Sequence, residues 1–433
     1  MISTYREHQR LLCGDAECAG KRVGISSLIA LAFIIGLATT PTVQAQTYQV
    51  IYNFTGRQDG AYPSTGLTVD GSGTLYGTAF GGGTPGYGTV FTLTNAGGGW
   101  LFTPIYSFHA GSDGAGPIGA LVVGPDGALY GSTSAGGQGP CVSGSGYRGC
   151  GTIYSLRPPS RAPVSVIVNW SSTTLYRFSQ TDGAYPQGQL TFDSSGNIYG
   201  TAMNGGDADW GVIYQLVNSG DSWSENILYQ AQGDGDGAFP SGGVVFDQSG
   251  NLYGVFSQNG PNNNGAVYEL SPSGSGWQES TVHSFTYQGD DGSTPQGGLF
   301  FDNAGNLYGT TVHEVSGGGT AFVLQPSGGS WSYDFIYGLS GGLELGPYDK
   351  LTMDAAGNLY GTTFADGTYG YGTVFKLTPS GSGWTYSALH NFTGGSDGGD
   401  PICRLVIDSN GNLYGTASAG GSKNKGVVFE ITP

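Results

Sequence analysis

The pattern Gly-x-x-Tyr-Gly returns seven times along this 433-residue chain, and its spacing constrains the fold more than any other feature. Successive copies lie 52 to 55 residues apart, except that the step from the second copy to the third is 69 residues. A glycine stands three residues before every tyrosine, and an aspartate stands six residues before it in six copies. The seven tyrosines are Tyr76, Tyr130, Tyr199, Tyr253, Tyr308, Tyr360 and Tyr414. Self-similarity at a fixed period of this length indicates one supersecondary unit repeated along the chain.

Each copy reads as four short strands joined by turns. Residues 298–302 form a first strand that ends in an Asp-x-x-Gly turn, and residues 306–311 form the second strand. Residues 372–377 illustrate the third strand, and residues 384–392 the fourth, which runs from a Trp to an aromatic residue. Asp at the first and Gly at the fourth turn position suit a type I turn. The sequence therefore predicts an all-β, seven-bladed β-propeller with four strands per blade.

The phase of the repeat predicts how this ring closes. Residues 47–54 read as a fourth strand, whereas residues 426–432 read as a third strand. The last blade, from about residue 404 to 432, should therefore be completed by the amino-terminal strand. Such closure leaves no sheet edge exposed. We expect residues 46–433 to form a single propeller domain.

Residues 1–45 have the pattern of an export signal. Lys21 and Arg22 precede an apolar run over residues 25–37, and residues 43–45 form a small-x-small cleavage pattern. An amino-terminal anchor helix and a translation start downstream of Met1 are the alternatives. We expect a secreted protein, extracellular or periplasmic, without stable membrane insertion after cleavage.

Composition narrows the fold class and the partners. Glycine supplies 82 residues, which excludes a mainly helical protein because each interior Gly destabilises a helix by about 1 kcal/mol relative to Ala. The formal charge of −17 includes no basic patch, so nucleic acid is excluded as a partner. We expect a monomer that binds a neutral ligand or a cation.

Three cysteines follow the predicted cleavage site. Cys141 and Cys150 flank a short loop rich in Gly and Ser, and export permits a disulfide between them. Zinc would need more ligands than this pair and its surroundings supply. Cys403 lies in an apolar stretch, where packing is its expected role.

Candidate binding residues lie in the links between copies and in the loops between second and third strands. Propeller geometry places both sets on one face. The ligand-binding candidates are Trp210, Tyr62, Tyr185, Phe239, Asp113, Asp182, Asp207, Asp209, His313 and Glu314. The aromatic residues suit sugar stacking, whereas His313 and Glu314 form a potential acid–base pair. The alternative for the repeated link aspartates is turn capping.

Local pairs of acids make calcium the one candidate ion, since calcium prefers oxygen ligands. The weak metal candidates are Asp234, Asp236, Asp290 and Asp291, none of which belongs to a complete metal-binding loop. We expect no other cofactor. No nucleophile motif is evident, so no catalytic residue is assigned.

The second copy departs most from the repeat. Its tyrosine, Tyr130, lies 21 residues before the third-strand glycine, Gly151, against 11 or 12 residues in the other copies. Insertions of this kind occur on loops, often at the binding face. We expect recognition near this insertion and near Trp210.

The recurring Gly-Asn-Leu-Tyr-Gly-Thr, Gly-Thr-Val-Phe and Asp-Gly-x-x-Pro segments resemble the tandem repeat of the choice-of-anchor GloVer-containing proteins. The resemblance covers residues 47–433. It implies an exported bacterial surface or secreted protein and brings no established activity or catalytic residues. Because Pro433 follows a strand directly, without a sorting tail, we expect free secretion.

The function that these features favour is a binding module for glycan or protein ligands. The alternatives are an enzyme acting on extracellular polysaccharide, either a hydrolase or a lyase, and a structural component of the cell envelope.

Overall fold

Twenty-eight β-strands, and no helix, make up the regular structure of the part of the chain that is described. The computed structural model describes residues 46–95, 97–159, 170–220, 222–233, 235–274, 276–314, 317–339 and 346–432. The predicted export signal, residues 1–45, lies outside them. Among the described residues we find no apolar helix of membrane-spanning length.

The strands are short and follow one another with the period of the repeat. Their bounds are β1 Thr47–Asn53, β2 Thr68–Val69, β3 Leu75–Ala79, β4 Thr89–Asn95, β5 Trp100–Ser107, β6 Ala115–Val123, β7 Leu129–Ala135, β8 Thr152–Arg157, β9 Ser171–Arg177, β10 Ala184–Phe192, β11 Ile198–Asn204, β12 Val212–Asn218, β13 Trp223–Gln230, β14 Ala238–Phe246, β15 Leu252–Gln258, β16 Ala266–Ser273, β17 Gly276–Ser284, β18 Phe300–Phe301, β19 Leu307–Thr311, β20 Gly319–Ser327, β21 Ser330–Leu339, β22 Thr352–Met353, β23 Leu359–Thr363, β24 Thr373–Ser380, β25 Gly383–Asn391, β26 Val406–Ile407, β27 Leu413–Ala417 and β28 Val427–Thr432.

The prediction of seven four-stranded blades is wrong. Five four-stranded sheets form a five-bladed arrangement, and the remaining strands join in one eight-stranded sheet of order β13-β12-β11-β10-β14-β15-β16-β17. This sheet is continuous because Gln189 of β10 and Gly243 of β14 pair as parallel neighbours. Glycine allows the approach, since a Cβ on Gly188 would lie 2.2 Å from the Gly243 nitrogen. The all-β propeller class stands.

The amino-terminal strand completes the last four-stranded sheet, whose order is β1-β28-β27-β26. Strand β1 is antiparallel to β28, with Thr47 opposite Thr432 and Asn53 opposite Val427. The predicted closure is therefore present, and it protects the edge of β28.

The Asp-x-x-Gly turn explains three of the repeated residues. In the fifth copy, Asp302 Oδ1 accepts hydrogen bonds from the backbone nitrogens of Ala304 and Asn306, at 2.8 and 2.9 Å. Its Oδ2 accepts the Tyr308 hydroxyl at 3.3 Å. The next residue, Gly309, has to be glycine because a Cβ there would lie 2.4 Å from the Phe322 ring. The motif thus ties the turn to the packing of the sheet.

Successive copies are fastened by a contact that we call the proline clasp, in which the link proline covers the glycine before the preceding copy's third strand. A Cβ on Gly372 would lie 2.4 Å from Pro401 Cδ, and the Asp400 nitrogen donates to the Tyr371 carbonyl at 2.9 Å. The clasps are Pro63 on Gly426, Pro117 on Gly88, Pro186 on Gly151, Pro240 on Gly211, Pro295 on Gly265, Pro347 on Gly319 and Pro401 on Gly372. The clasp between Pro63 and Gly426 also closes the ring.

Stacked rings fill the space between neighbouring fourth strands. Tyr52 stacks on Phe102 with 3.8 Å between ring centroids, and His283 stacks on Tyr333 at 4.3 Å. The core therefore lies between sheets, as in other propellers.

Candidate functional site

A cavity of about 220 Å³ lies where the first segments of the copies converge. Every lining residue stands one to three positions after a link proline, and all seven copies contribute. The lining is Ser64, Thr65, Ile118, Gly119, Ala120, Gln187, Gly188, Gln189, Ser241, Gly242, Gln296, Tyr348, Asp349, Lys350, Ile402 and Arg404. We call this space the axial cavity.

The third position after the link proline decides the chemistry of the cavity. Four copies have a small residue there, namely Gly66, Ala120, Gly243 and Gly298. The small residues let neighbouring segments touch, since a Cβ on Gly298 would lie 2.5 Å from the Gly242 carbonyl oxygen. The other copies have the long polar side chains of Gln189, Lys350 and Arg404.

These three long side chains meet at one atom. Lys350 Nζ donates to Gln189 Oε1 at 2.9 Å, and Arg404 Nη1 donates to the same oxygen at 2.6 Å. Among the described residues, no carboxylate oxygen lies within 4.0 Å of a side-chain nitrogen of Lys350 or Arg404. Two cations thus share one neutral acceptor, and Arg404 Nη2 also donates to the Leu67 carbonyl oxygen at 3.4 Å.

Asp349 is the nearest acid in sequence, and its carboxylate serves the backbone. Its Oδ1 accepts the Lys350 backbone nitrogen at 2.7 Å, and its Oδ2 accepts the Arg404 backbone nitrogen at 2.8 Å. Asp349 therefore orients the two cation-bearing segments and leaves their side chains directed to Gln189.

Burial sets the charge state of the site. Together with the neighbouring Arg404, and opposed by Asp349, burial lowers the pKa of Lys350 to about 7. Burial also lowers the pKa of Arg404, but a guanidinium stays charged at neutral pH. An anion entering the cavity would stabilise both cations.

The rest of the lining supplies neutral polar groups and one ring. Ser241 is 5% exposed, and its Oγ makes no hydrogen bond within the described part of the chain. Gln187 and Gln296 add amides, and the Tyr348 ring packs against Phe364 with 5.6 Å between centroids. The buried Ser241 hydroxyl is a donor and acceptor available to a ligand.

The predicted link acids are held by their own links. Asp113 Oδ2 accepts the Tyr106 hydroxyl at 2.9 Å and the His109 nitrogen at 3.1 Å. Asp182 accepts the Tyr176 hydroxyl and the Ser179 nitrogen, each at 2.7 Å. The link turn explains both residues.

The metal candidates show the same arrangement. Asp236 accepts the Tyr229 hydroxyl at 2.6 Å. Asp291 accepts His283 Nε2 and Thr286 Oγ1, each at 2.7 Å. Asp290 is exposed, and Asp234 lies outside the described residues. Within the described ranges, no three His, Cys, Asp or Glu residues form a group that could hold a metal ion.

The predicted aromatic candidates lie at the clasps. Tyr62 is 42% exposed, and Lys425 Nζ lies 4.6 Å from its ring centroid. Tyr185 is half-buried. Trp210 lies 5.4 Å from the half-buried Phe239, measured between ring centroids. Trp210 and Phe239 are thus in contact, whereas Tyr62 and Tyr185 belong to the links of other copies.

The remaining candidates lie in two loops: Asp207 and Asp209 share a loop with Trp210, and His313 and Glu314 are neighbours in another. Asp209 Oδ1 accepts the Gly205 nitrogen at 2.8 Å, and the Asp207 nitrogen donates to the Gln230 side chain at 2.7 Å. His313 forms a backbone bridge with Ser293, and Glu314 beside it is buried.

The insertion of the second copy folds against the first copy. A disulfide joins Cys141 and Cys150. Tyr147, within the loop, stacks on Phe80 and contacts Tyr87, with centroid distances of 5.9 and 5.4 Å. Cys403 is buried and reduced. The insertion therefore packs on residues of the first copy and does not extend freely into solvent.

A family model matches this chain three times in tandem, over residues 35–162, 139–332 and 312–433. It describes the Gloeobacter/Verrucomicrobia repeat, in agreement with the GloVer resemblance. The chain belongs to this family. No curated protein matches this chain.

Solved structures resemble this Gloeobacter/Verrucomicrobia repeat protein in fold. One is an extracellular domain assigned to a hybrid two-component system from B. thetaiotaomicron, with 12% identity over 90% of this chain and 42% of that chain, at a TM-score of 0.52. An ulvan lyase bound to an oligosaccharide has 11% identity over 86% and 94% of the two chains, at 0.48. A Thermus protein assigned as a glucose dehydrogenase has 12% identity over 89% and 99%, at 0.43.

Sequence reasoning missed the axial residues of the Gloeobacter/Verrucomicrobia repeat chain. Gln189, Lys350 and Arg404 share one position in the repeat, three residues after a link proline, where the other copies have Gly or Ala. Comparing the copies at that position would have identified them, because a departure from the repeat marks a specific role.

Proposed function

We propose that this protein is a binding module for acidic glycans, which it recognises in the axial cavity. The observation that carries the proposal is the convergence of Lys350 and Arg404 on the one amide oxygen of Gln189. A sugar carboxylate could replace that oxygen and bind both cations, because charge-assisted hydrogen bonds are stronger than those to a neutral amide. Arg404 can also hold a carboxylate through two parallel bonds.

The neutral part of the lining suits the rest of a sugar ring. Ser241, Gln187 and Gln296 can exchange hydrogen bonds with hydroxyl groups, and Tyr348 offers an aromatic surface. A cavity of about 220 Å³ is small among ligand sites, so we infer that it takes one terminal sugar residue.

The charge of the whole molecule favours a ligand with a single acidic group. A formal charge of −17 repels long polyanions, while the field of the two cations is screened beyond about 10 Å at moderate salt. A neutral sugar with one carboxylate avoids the repulsion by the whole molecule and can still be attracted by the two cations at short range.

We also propose that the protein works outside the cytoplasm. The disulfide between Cys141 and Cys150 supports this location, since such bonds persist in oxidising compartments.

The proposal is tested by calorimetric titration with glucuronate, galacturonate and their neutral parent sugars. We expect the acids to bind and the neutral sugars to bind at least tenfold more weakly. Arg404→Met should reduce uronate affinity at least tenfold, whereas Lys423→Met, which removes an exposed cation, should leave it unchanged. If the Arg404→Met protein binds uronate with the same affinity as wild type, the proposal is overturned.

A second candidate function is the release, by elimination, of one terminal acidic sugar residue from an otherwise neutral glycan. The lowered pKa of Lys350 favours it, because a neutral amine beside Arg404 can act as a base near pH 7. The amine would take the proton from the carbon next to the carboxylate, the bond from the adjacent carbon to the leaving sugar's oxygen would break, and a C=C bond would form. Water would return a proton to the leaving oxygen.

Lys350→Arg separates the two candidates, because arginine keeps the charge but cannot act as a base. Under the elimination hypothesis, wild-type protein releases unsaturated sugars and Lys350→Arg retains binding without turnover. Binding without any unsaturated product from the wild-type protein supports the binding module alone.

A further inference from the structure

A second depression, of about 550 Å³, shares Lys350 and Arg404 with the axial cavity. The axial cavity lies at the start of the first strands, after the link prolines, whereas this depression lies at their ends, beside the Asp-x-x-Gly turns. We call it the vestibule. Lys350 and Arg404 therefore line both spaces, one at each end of the first strands.

The wall of the vestibule combines apolar side chains with the polar side chains of Asp302, Asn303, Thr352 and Asp354. The position just before the turn aspartate contributes Val69, Phe301, Met353 and Ile407, and Val406 and Leu405 lie beside them. These residues come from the first, fifth, sixth and seventh copies. Equivalent residues of the other copies, such as Val123, do not line the vestibule.

The lengths of the first strands explain why the vestibule lies beside the first, fifth, sixth and seventh copies. Strands β2, β18, β22 and β26 have two residues each, whereas β6, β10 and β14 have nine. The long strands close against one another through glycines such as Gly188 and Gly243. The short strands leave the space that the vestibule occupies.

We propose that the vestibule binds an amphipathic carboxylate, namely a straight-chain fatty acid, with its head group at Lys350 and Arg404 and its tail along the apolar side chains of the wall. Charge complementarity selects the head group, since an anion placed at the floor meets two cations that share one amide oxygen. Burial of the tail against Val69 and Met353 supplies the remaining affinity.

The acids of the vestibule select against other anions. Asp302 and Asp354 are part of the vestibule's lining, and each accepts hydrogen bonds from its own turn, including Asn306 Nδ2 and Asn358 Nδ2 at 2.8 and 2.7 Å. Their negative charge opposes a ligand with several acidic groups. A single carboxylate with a neutral tail can pass them and place only methylene groups there.

A shared floor makes the two sites exclude each other. A fatty acid at Lys350 and Arg404 occupies the groups that a sugar acid needs from the axial side, so each ligand should compete with the other. This competition rests on the proposed function, whereas binding of the fatty acid does not.

Calorimetric titration with butanoate, hexanoate, octanoate and octanol tests the proposal. We expect affinity to rise about fourfold for each added methylene group, and octanol to bind at least tenfold more weakly than octanoate. Val69→Asn should reduce octanoate affinity severalfold, and Val123→Asn, at the equivalent position outside the vestibule, should not. Equal effects of these two variants, at equal melting temperatures, would overturn the proposal, as would octanol binding as well as octanoate.

Ser241→Val separates this test from that of the proposed function, because Ser241 lines only the axial cavity. We expect it to weaken uronate binding and leave octanoate binding unchanged. Octanoate binding without any uronate binding supports the vestibule and refutes the proposed function. Uronate binding with no response to millimolar octanoate refutes the vestibule alone.

Discussion

At the scale of single residues, two glutamates stand where other copies have a stacked ring. Glu225 and Glu279 follow their strand's tryptophan by two residues, the position of Phe102 and Tyr333. Tyr176 donates to Glu225 Oε2 at 2.9 Å, and Glu225 Oε1 is buried without a donor among the described residues. Burial, opposed by the hydrogen bond from Tyr176 and reinforced by Asp182, raises the pKa of Glu225 to about 8.

Glu225 should make the folded protein less stable as the pH rises. Between the ordinary value of 4.5 and about 8, the folded state keeps a proton that the unfolded chain has lost, so this stabilisation is complete below pH 4.5 and disappears through pH 8. Glu225→Gln mimics the protonated form. We expect its gain in unfolding free energy over wild type to increase by on the order of 2 kcal/mol between pH 5 and 8.

Urea denaturation at several pH values measures this difference. Asp334→Asn is the control, since Asp334 is an exposed acid on β21. If the Glu225→Gln and Asp334→Asn proteins show the same pH profile, the Glu225 carboxyl is not protonated in the folded wild-type protein.

The axial residues show what one sequence can and cannot reveal. The capping roles of Asp113 and Asp182 follow from the repeat, because a turn needs the same residue type in each copy. Lys350 and Arg404 act together only because distant segments converge, and neither segment carries a motif. Their shared position after the proline marks them as exceptions, but the Gln189 acceptor becomes evident only in three dimensions.

At the scale of elements, the proline clasp joins each copy to the next. In six of the seven clasps the glycine has a positive φ. At Gly372 the φ is 92°, and the Cβ position is filled by Pro401 and by the Thr363 carbonyl oxygen. Only glycine meets both conditions without strain.

Gly372→Ala should therefore destabilise the protein by about 2 to 4 kcal/mol, through backbone strain and overpacking. Gly383→Ala is a matched control in the same copy, because Gly383 lacks a positive φ and its Cβ would meet no atom within 4 Å. Thermal denaturation compares the two proteins. A loss of stability that is equal in both would show that the clasp does not need glycine.

The strands were predictable from the repeat, but their grouping into sheets was not. Turn residues and aromatic positions recur in sequence, and they specify hairpins locally. The joining of β10 to β14 depends on the distance between two first strands, which Gly188 and Gly243 reduce. The sequence contains glycines at many other positions, so it does not show which of them bring strands together.

At the scale of the whole molecule, strand β1 holds the ring closed. Its residues pair with β28, Tyr48 stacks on His390 at 3.6 Å, and the Gln49 amide donates to Glu430 at 2.5 Å. The first and last strands therefore share one sheet.

Deleting residues 46–54 should lower the melting temperature by on the order of 5 to 10 °C and cause self-association through the exposed edge of β28. Differential scanning calorimetry and size-exclusion chromatography measure both effects. A synthetic peptide of residues 46–54 should restore the monomer, and a scrambled peptide should not. An unchanged melting temperature would contradict the closure.

The pairing of β1 with β28 also sets an order of events during synthesis. Val427 lies 374 positions after Asn53, so at 5 to 20 residues per second β1 waits roughly 20 to 75 seconds for its partner. Every nascent chain that is released before β28 is made keeps a solitary strand at its start. The ring can therefore close only in a chain that has been made through to β28.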